Sequence, residues 1–92
     1  MTLATEIEFL THIINLEKRL KDDYVLTLTR TWDGAYAVFV MDTRKCSAGF
    51  SEDPCVLQQT SHFAFLAMRN GVQNEVNQFY NRLKANNLLK ND

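Results

Sequence analysis

Between residues 3 and 20 the apolar positions fall into two adjoining rows at helical spacing: Leu3, Ile7, Leu10, Ile14 and Phe9, Ile13, Leu16, Leu20. Recurrence every three or four residues marks an amphipathic helix. Together the rows cover close to half the circumference, so this helix is expected to be broadly buried. Thr5 and Glu8 fit a capping box at its start. Lys18, Arg19 and Lys21 in the last turn suit the negative end of the helix dipole, as a solvated end or, alternatively, a phosphate-facing patch.

From Tyr24 the period drops to two, with Leu26, Leu28 and Trp32 alternating against Thr27, Thr29 and Thr31. Asp33-Gly34 predicts a hairpin with a two-residue loop, because both turn residues need φ > 0. Counting outward pairs Trp32 with Ala35, Arg30 with Ala37, Leu28 with Phe39 and Leu26 with Met41. Leu26, Leu28, Ala37, Phe39 and Met41 then share the core face. Thr27, Thr29, Thr31, Tyr36, Val38 and Val40 share a second, half-apolar face that something else could cover. Lys45 to Phe50 supplies a third strand, weakened by Gly49. Asp53-Pro54 starts a helix, with a cap residue followed by proline at the first helical position. Val56, Leu57, Thr60, Phe63, Ala64, Ala67 and Met68 gather on its buried face, and Asn70-Gly71 ends it. Val56–Thr60 as the third strand is the alternative reading of this stretch. Val72, Val76, Phe79 and Leu83, with Tyr80 beside them, mark a last helix.

The expected fold is therefore α+β, a three-stranded antiparallel sheet packed with helices in the order α-β-β-β-α-α, in a single domain spanning residues 1–92. Leu26, Leu28, Phe39 and Met41 should lie under Ile7, Leu10, Ile14, Phe63 and Phe79.

Composition narrows the function classes. Hydrophobic residues are 46% and charged residues 23% of the chain, a globular balance. The formal charge of −1 lowers the case for a dedicated duplex binder, whose phosphate contacts normally need a basic excess. No apolar run approaches the ~18 residues of a membrane span, and no basic segment precedes the first helix, so a cytoplasmic protein with no membrane partner is expected. Cys46 and Cys55 read as reduced thiols in that setting.

Candidate chemistry is sparse. Ser61 and His62 are neighbours and on a helix would point about 100° apart, so they form no nucleophile–base pair. Cys46, Cys55 and His62 are spaced C-x8-C-x6-H, which fits no common zinc pattern. Asp22-Asp23 and Glu52-Asp53 sit at element boundaries, where capping accounts for them. Three dispersed glycines make no phosphate-cradling loop. No catalytic group, cofactor, metal or small-molecule substrate is expected. Residues 54–87 can alternatively be read as helix-turn-helix-like, the last helix presenting Gln73, Asn74, Asn77, Asn81 and Lys84 to base edges; a plain helix junction with a polar surface is favoured. Trp32 either caps the edge of the core or stands exposed as an interface anchor.

The whole string carries a resemblance. MTLATEIEFLTHIINLEKRL, RTWDGAYAVFVMD and SEDPCVLQQ resemble small phage-encoded proteins, more specifically type I-F anti-CRISPR proteins. The likeness spans essentially the full chain but rests on no diagnostic signature, and such proteins mostly share neither fold nor motif, so no site carries over residue by residue. It implies a stoichiometric inhibitor in the host bacterial cytoplasm that binds Cas protein subunits of the guide-RNA (Csy, or Cascade) surveillance complex and blocks target-DNA hybridisation, nuclease recruitment or a required conformational change, the first being the expectation carried forward. Acidic groups at element ends (Asp22, Asp23, Asp33, Asp42, Glu52, Asp53) suit a basic DNA channel. Arg30, Arg44 and Lys45 suit guide-RNA phosphates instead. The expected partner-binding residues are Arg30, Trp32, Asp33, Tyr36, Asp42, Arg44 and Lys45, displayed by the hairpin turn and the nearby connection; the Asn/Gln-rich face of the last helix is the alternative site. The other function carried is a small phage DNA-binding regulator using 54–87.

Overall fold

The computed structural model describes residues 3–47 and 53–90. Three strands, β1 (Tyr24–Arg30), β2 (Ala35–Asp42) and β3 (Cys55–His62), form an antiparallel meander in the order β1-β2-β3. Helix α1 (Leu3–Glu17) precedes the sheet; α3 (Phe63–Leu66) and α4 (Gly71–Ala85) follow it. The chain is α+β in the order α-β-β-β-α-α, with one further helical turn, α2 (Thr43–Ser47), between β2 and β3. No helix among the described residues is long and apolar enough to cross a membrane.

One of the two apolar rows of α1 makes the core. Phe9, Ile13, Leu16 and Leu20 are buried, while Ile7 and Ile14 are each 55% exposed, against expectation. Glu6 shares the inward face instead, one turn before Phe9, and Phe9 stacks on Tyr36 with ring centroids 5.8 Å apart. Thr5 is already helical, so it is not the cap of a helix that begins by Leu3. In α4, Val72, Val76, Phe79 and Leu83 are all buried, as their spacing requires. That helix ends in a Schellman motif. Asn87 takes φ 58°, its N–H reaches the Lys84 carbonyl at 3.0 Å, and the Leu88 N–H reaches the Leu83 carbonyl at 3.0 Å. Leu88 and Leu89 then tuck back into the core, and Leu89 bridges to Leu20.

The hairpin differs from expectation by one residue. Arg30 pairs with Tyr36, Leu28 with Val38 and Leu26 with Val40. The loop is Trp32-Asp33-Gly34, and only Gly34 (φ 91°) takes the left-handed region there. The Gly34 N–H meets the Thr31 carbonyl at 3.4 Å and the Thr31 N–H meets the Ala35 carbonyl at 2.8 Å, a type I turn followed by a left-handed glycine. The Thr31 hydroxyl selects this loop, accepting the Ala35 N–H at 2.9 Å and donating to the Asp33 carboxylate. A one-residue slip turns every side chain to the opposite face. Tyr36, Val38 and Val40 therefore join Leu26 and Leu28 under the helices. Phe39 and Met41 lie on the outer face, partly exposed beside Thr27, Val25 and Gln58, rather than in the core.

Strand β3 occupies Cys55–His62, where a helix from Pro54 was the first expectation and a strand at Val56–Thr60 the alternative. The Asp53 carboxylate takes the Cys55 N–H at 2.9 Å, a local turn around Pro54 that launches a strand as readily as a cap launches a helix. Val56 is the extra residue of a bulge opposite Val40 and Met41. Residues 45–47 of the expected third strand belong instead to α2, which is begun by the Asp42 carboxylate accepting the Arg44 N–H at 2.9 Å; residues 48–50 of it lie outside the described residues. The helix-turn-helix-like reading of 54–87 loses its first helix to β3. Asn70, in the left-handed region at φ 59°, caps the start of α4 rather than ending a long helix. A Cβ on Gly71 would overlap the Phe65 carbonyl, so only glycine permits this close turn.

Candidate docking surface

Strand β2 divides the seven expected partner-binding residues into two groups. Arg30, Trp32, Asp33 and Tyr36 sit at its first end; Asp42, Arg44 and Lys45 sit at its far end. Seven steps of a strand separate Ala35 from Asp42, roughly 24 Å at ~3.4 Å per residue. The hairpin turn and the connection after Asp42 thus form two surfaces rather than one.

At the first end Trp32 is 98% exposed, so it does not cap the core. Its loop is fixed on both sides: by the Thr31 bonds and by the Gly34 carbonyl, which accepts the Phe63 N–H at 2.9 Å. The Thr31 hydroxyl on the Asp33 carboxylate holds that group below the usual carboxylate range, with the charge of His62 acting the same way. Arg30 lies with its guanidinium carbon 4.9 Å from the centre of the Phe63 ring and a nitrogen 3.6 Å from Glu6 Oε1. Tyr36 is in the core, only 5% exposed, and donates its hydroxyl proton to Glu6 Oε1 at 2.6 Å. It supports the tip from within and does not face a partner. Burial first, then the bond to Glu6, push the Tyr36 phenol above its ordinary value.

At the far end Asp42 is buried, and Arg44 grips it with Nε and Nη2, each at 3.2 Å. That grip lowers the Asp42 carboxyl and raises Arg44. Arg44 also lies 3.7 Å from Asp23, so its charge is already engaged on both sides. Lys45 lies beside it, half-buried. Asp22 pairs with Lys90 at 3.5 Å. On α4, Gln73 bonds to Asn77 at 3.0 Å on an exposed polar face, and Lys84 and Arg19 each lie 5.1 Å from the Tyr80 ring centre.

The tip continues into residues that the sequence pattern concealed. The His62 ring meets Phe65 edge-on at 5.8 Å; Phe65 is 51% exposed and Met68 63% exposed. Both belonged to a long helix in the expected fold, with Met68 on its buried face. Shortening that helix to one turn leaves them outside. No periodicity could have shown this, because α3 is four residues long. Chemically, this edge offers a large rigid aromatic, adjoining apolar side chains and charges of both signs. Among the described residues no cluster of three or more His, Cys, Asp or Glu side chains could hold a metal ion. No family model, curated protein or solved structure matches the chain.

Proposed function

We propose that this chain is a stoichiometric inhibitor of the type I-F CRISPR surveillance complex that docks through its hairpin tip and blocks target-DNA binding. The resemblance of the whole sequence to that functional class motivates the reading. The observation that carries the docking site is Trp32, 98% exposed on a locally fixed loop. Tryptophan and arginine dominate binding hot spots, and a preformed support lowers the ordering cost of association. Asp33 follows Trp32 on the loop and is exposed, a polar neighbour for the rim of such a contact. The Arg44 and Lys45 corner is a separate, secondary contact, because Arg44 already neutralises Asp42 and Asp23.

A gel shift of guide-loaded complex with target DNA tests the reading. Adding the parent protein is expected to abolish the shift, and Trp32→Ala is expected to weaken that inhibition at least tenfold, since a hot-spot residue contributes about 2 kcal/mol or more. Undiminished DNA binding with the parent would remove the inhibitor proposal. Full inhibition by Trp32→Ala would move the docking site elsewhere. Tight, salt-sensitive binding of the isolated chain to duplex DNA would favour the DNA-binding regulator.

A further inference from the structure

We propose that this chain associates with a second copy of itself through the edge that carries Trp32, each indole seating in the groove formed by Phe65 and Met68 of the other copy. The projecting part is unambiguous: Trp32 is 98% exposed and Asp33 follows it. The receiving part is an open groove of about 290 Å³ between α3 and α4, walled by Phe65 and Met68 and rimmed by Arg69 and Glu75. At ~30 Å³ per water molecule it holds about ten waters, room enough for an indole.

Both parts lie on one edge. The Gly34 carbonyl is bonded to the Phe63 N–H at 2.9 Å, and the His62 ring, next in the chain before Phe63, meets the Phe65 ring at 5.8 Å. A patch that holds both a projection and its receiver is self-complementary, and a two-fold axis satisfies both at once, closing the assembly at two copies. Charge is compatible with the same occupant on the Arg69 side of the rim, opposite Glu75. Seating Trp32 brings Asp33 of one copy to the rim where the other copy carries Arg69. Arg69 is exposed and pairs with no acidic side chain among the described residues, so it is free to meet that carboxylate. The same guanidinium lies beside the incoming ring, a favourable cation–aromatic arrangement. A partner of one charge sign would match only one half of this mixed patch.

Area fixes the strength. A tryptophan buries roughly 150–250 Å². Two of them with the groove walls they cover amount to about 600–1,000 Å², below the ~1,200 Å² of a stable interface. The dimer is therefore weak and concentration-dependent. A copy with its indole seated is closed to any other partner at this edge, so self-association competes with docking there.

Sedimentation velocity and tryptophan fluorescence on the isolated protein, from about 1 µM to about 1 mM, test the pairing. Trp32 is the chain's single tryptophan, so its emission reports the seat directly. Sedimentation is expected to rise from monomer to dimer while the emission shifts to the blue over the same range. Trp32→Ala, with circular dichroism unchanged, should be monomeric throughout. Met68→Glu should be monomeric with the emission of an exposed indole at every concentration. Arg69→Asp should weaken association, and Asp33→Arg combined with Arg69→Asp should restore it. A parent protein that stays monomeric with constant emission overturns the proposal. So does a dimer that survives Trp32→Ala, or an emission shift that appears only when the surveillance complex is added.

Discussion

A phenol that donates a hydrogen bond to a carboxylate inside a core commits both groups to one geometry, as Tyr36 and Glu6 show at 2.6 Å. Glu6 is buried, its Oε1 accepts the hydrogen bond from the phenol, and Oε2 has no hydrogen-bond partner. Removing the Tyr36 hydroxyl would leave the carboxylate still less satisfied, so Tyr36→Phe is expected to destabilise the fold by about 1–3 kcal/mol in chemical denaturation. Burial and Glu6 raise the Tyr36 phenol above its ordinary value, so the folded chain keeps a proton that the unfolded chain releases. The resulting stability is fully present below about pH 10 and is lost as pH rises through the folded-state value. The parent should therefore lose denaturation midpoint above pH ~10 more steeply than Tyr36→Phe, and equal slopes would show that another group titrates. Trp32 behaves oppositely. Its side chain is almost fully exposed, so Trp32→Ala should leave stability within about 0.5 kcal/mol, a loss well below that of a core residue. An unstable Trp32→Ala would mean that the ring supports the hairpin, and its exposure would no longer argue for a docking role.

At the scale of the element, the last helix was the most legible part of the sequence because a single row of apolar residues, Val72, Val76, Phe79 and Leu83, had only one way to face inward. The first helix offered two rows, and the choice between them was made by Tyr36 and the sheet, which periodicity within the helix does not contain. In the hairpin the strands and the turn position were legible but the loop length was not. Asp-Gly admits both two- and three-residue loops, and the Thr31 hydroxyl, by binding Asp33 and the Ala35 N–H, settles it. That one hydroxyl decides which face of β2 is buried, and with it whether Tyr36 is core or surface. Residues 54–70 failed for a different reason. Val56, Leu57 and Thr60 suit a strand as well as a helix, and pairing with β2, a long-range event, decides. Of the candidate site, the exposed tryptophan was legible as one of two alternatives, whereas Phe65 and Met68 depended on the lost helix. Two substitutions check the register. Phe79→Ala, at a fully buried ring, should cost about 3–5 kcal/mol, while Phe39→Ala on the outer face should cost less than half as much. Comparable losses would return Phe39 to the core and restore the two-residue loop. Gly34→Ala should cost about 1–2 kcal/mol, since φ 91° suits no residue with a Cβ.

Across the whole molecule the sheet must also end, since three strands have two open edges, each a template for further strands. Each edge is engaged at one position by a charged side chain of matching polarity. On the β1 side, Glu17 at the end of α1 accepts the outward Leu26 N–H at 3.0 Å. On the β3 side, Arg82 of α4 donates to the Gln58 carbonyl at 2.7 Å. An acid takes the free donor and a base takes the free acceptor, so the helices guard the edges as well as cover the face. The arrangement separates association through the Trp32 edge from uncontrolled strand addition. Each bond is exposed, so Glu17→Ala or Arg82→Ala alone should cost only about 1 kcal/mol. Their combined effect on solution behaviour should be larger than on stability, because both edges then accept strands. The double variant is expected to form thioflavin-positive aggregates on mild heating, at temperatures where circular dichroism still reports a folded chain and the parent stays clear. Combining it with Trp32→Ala distinguishes the two surfaces, because strand addition should persist without the indole. Aggregation that requires Trp32, or a double variant as clear as the parent, would mean that the edges are protected by their own twist and shortness and that the two side chains only decorate them.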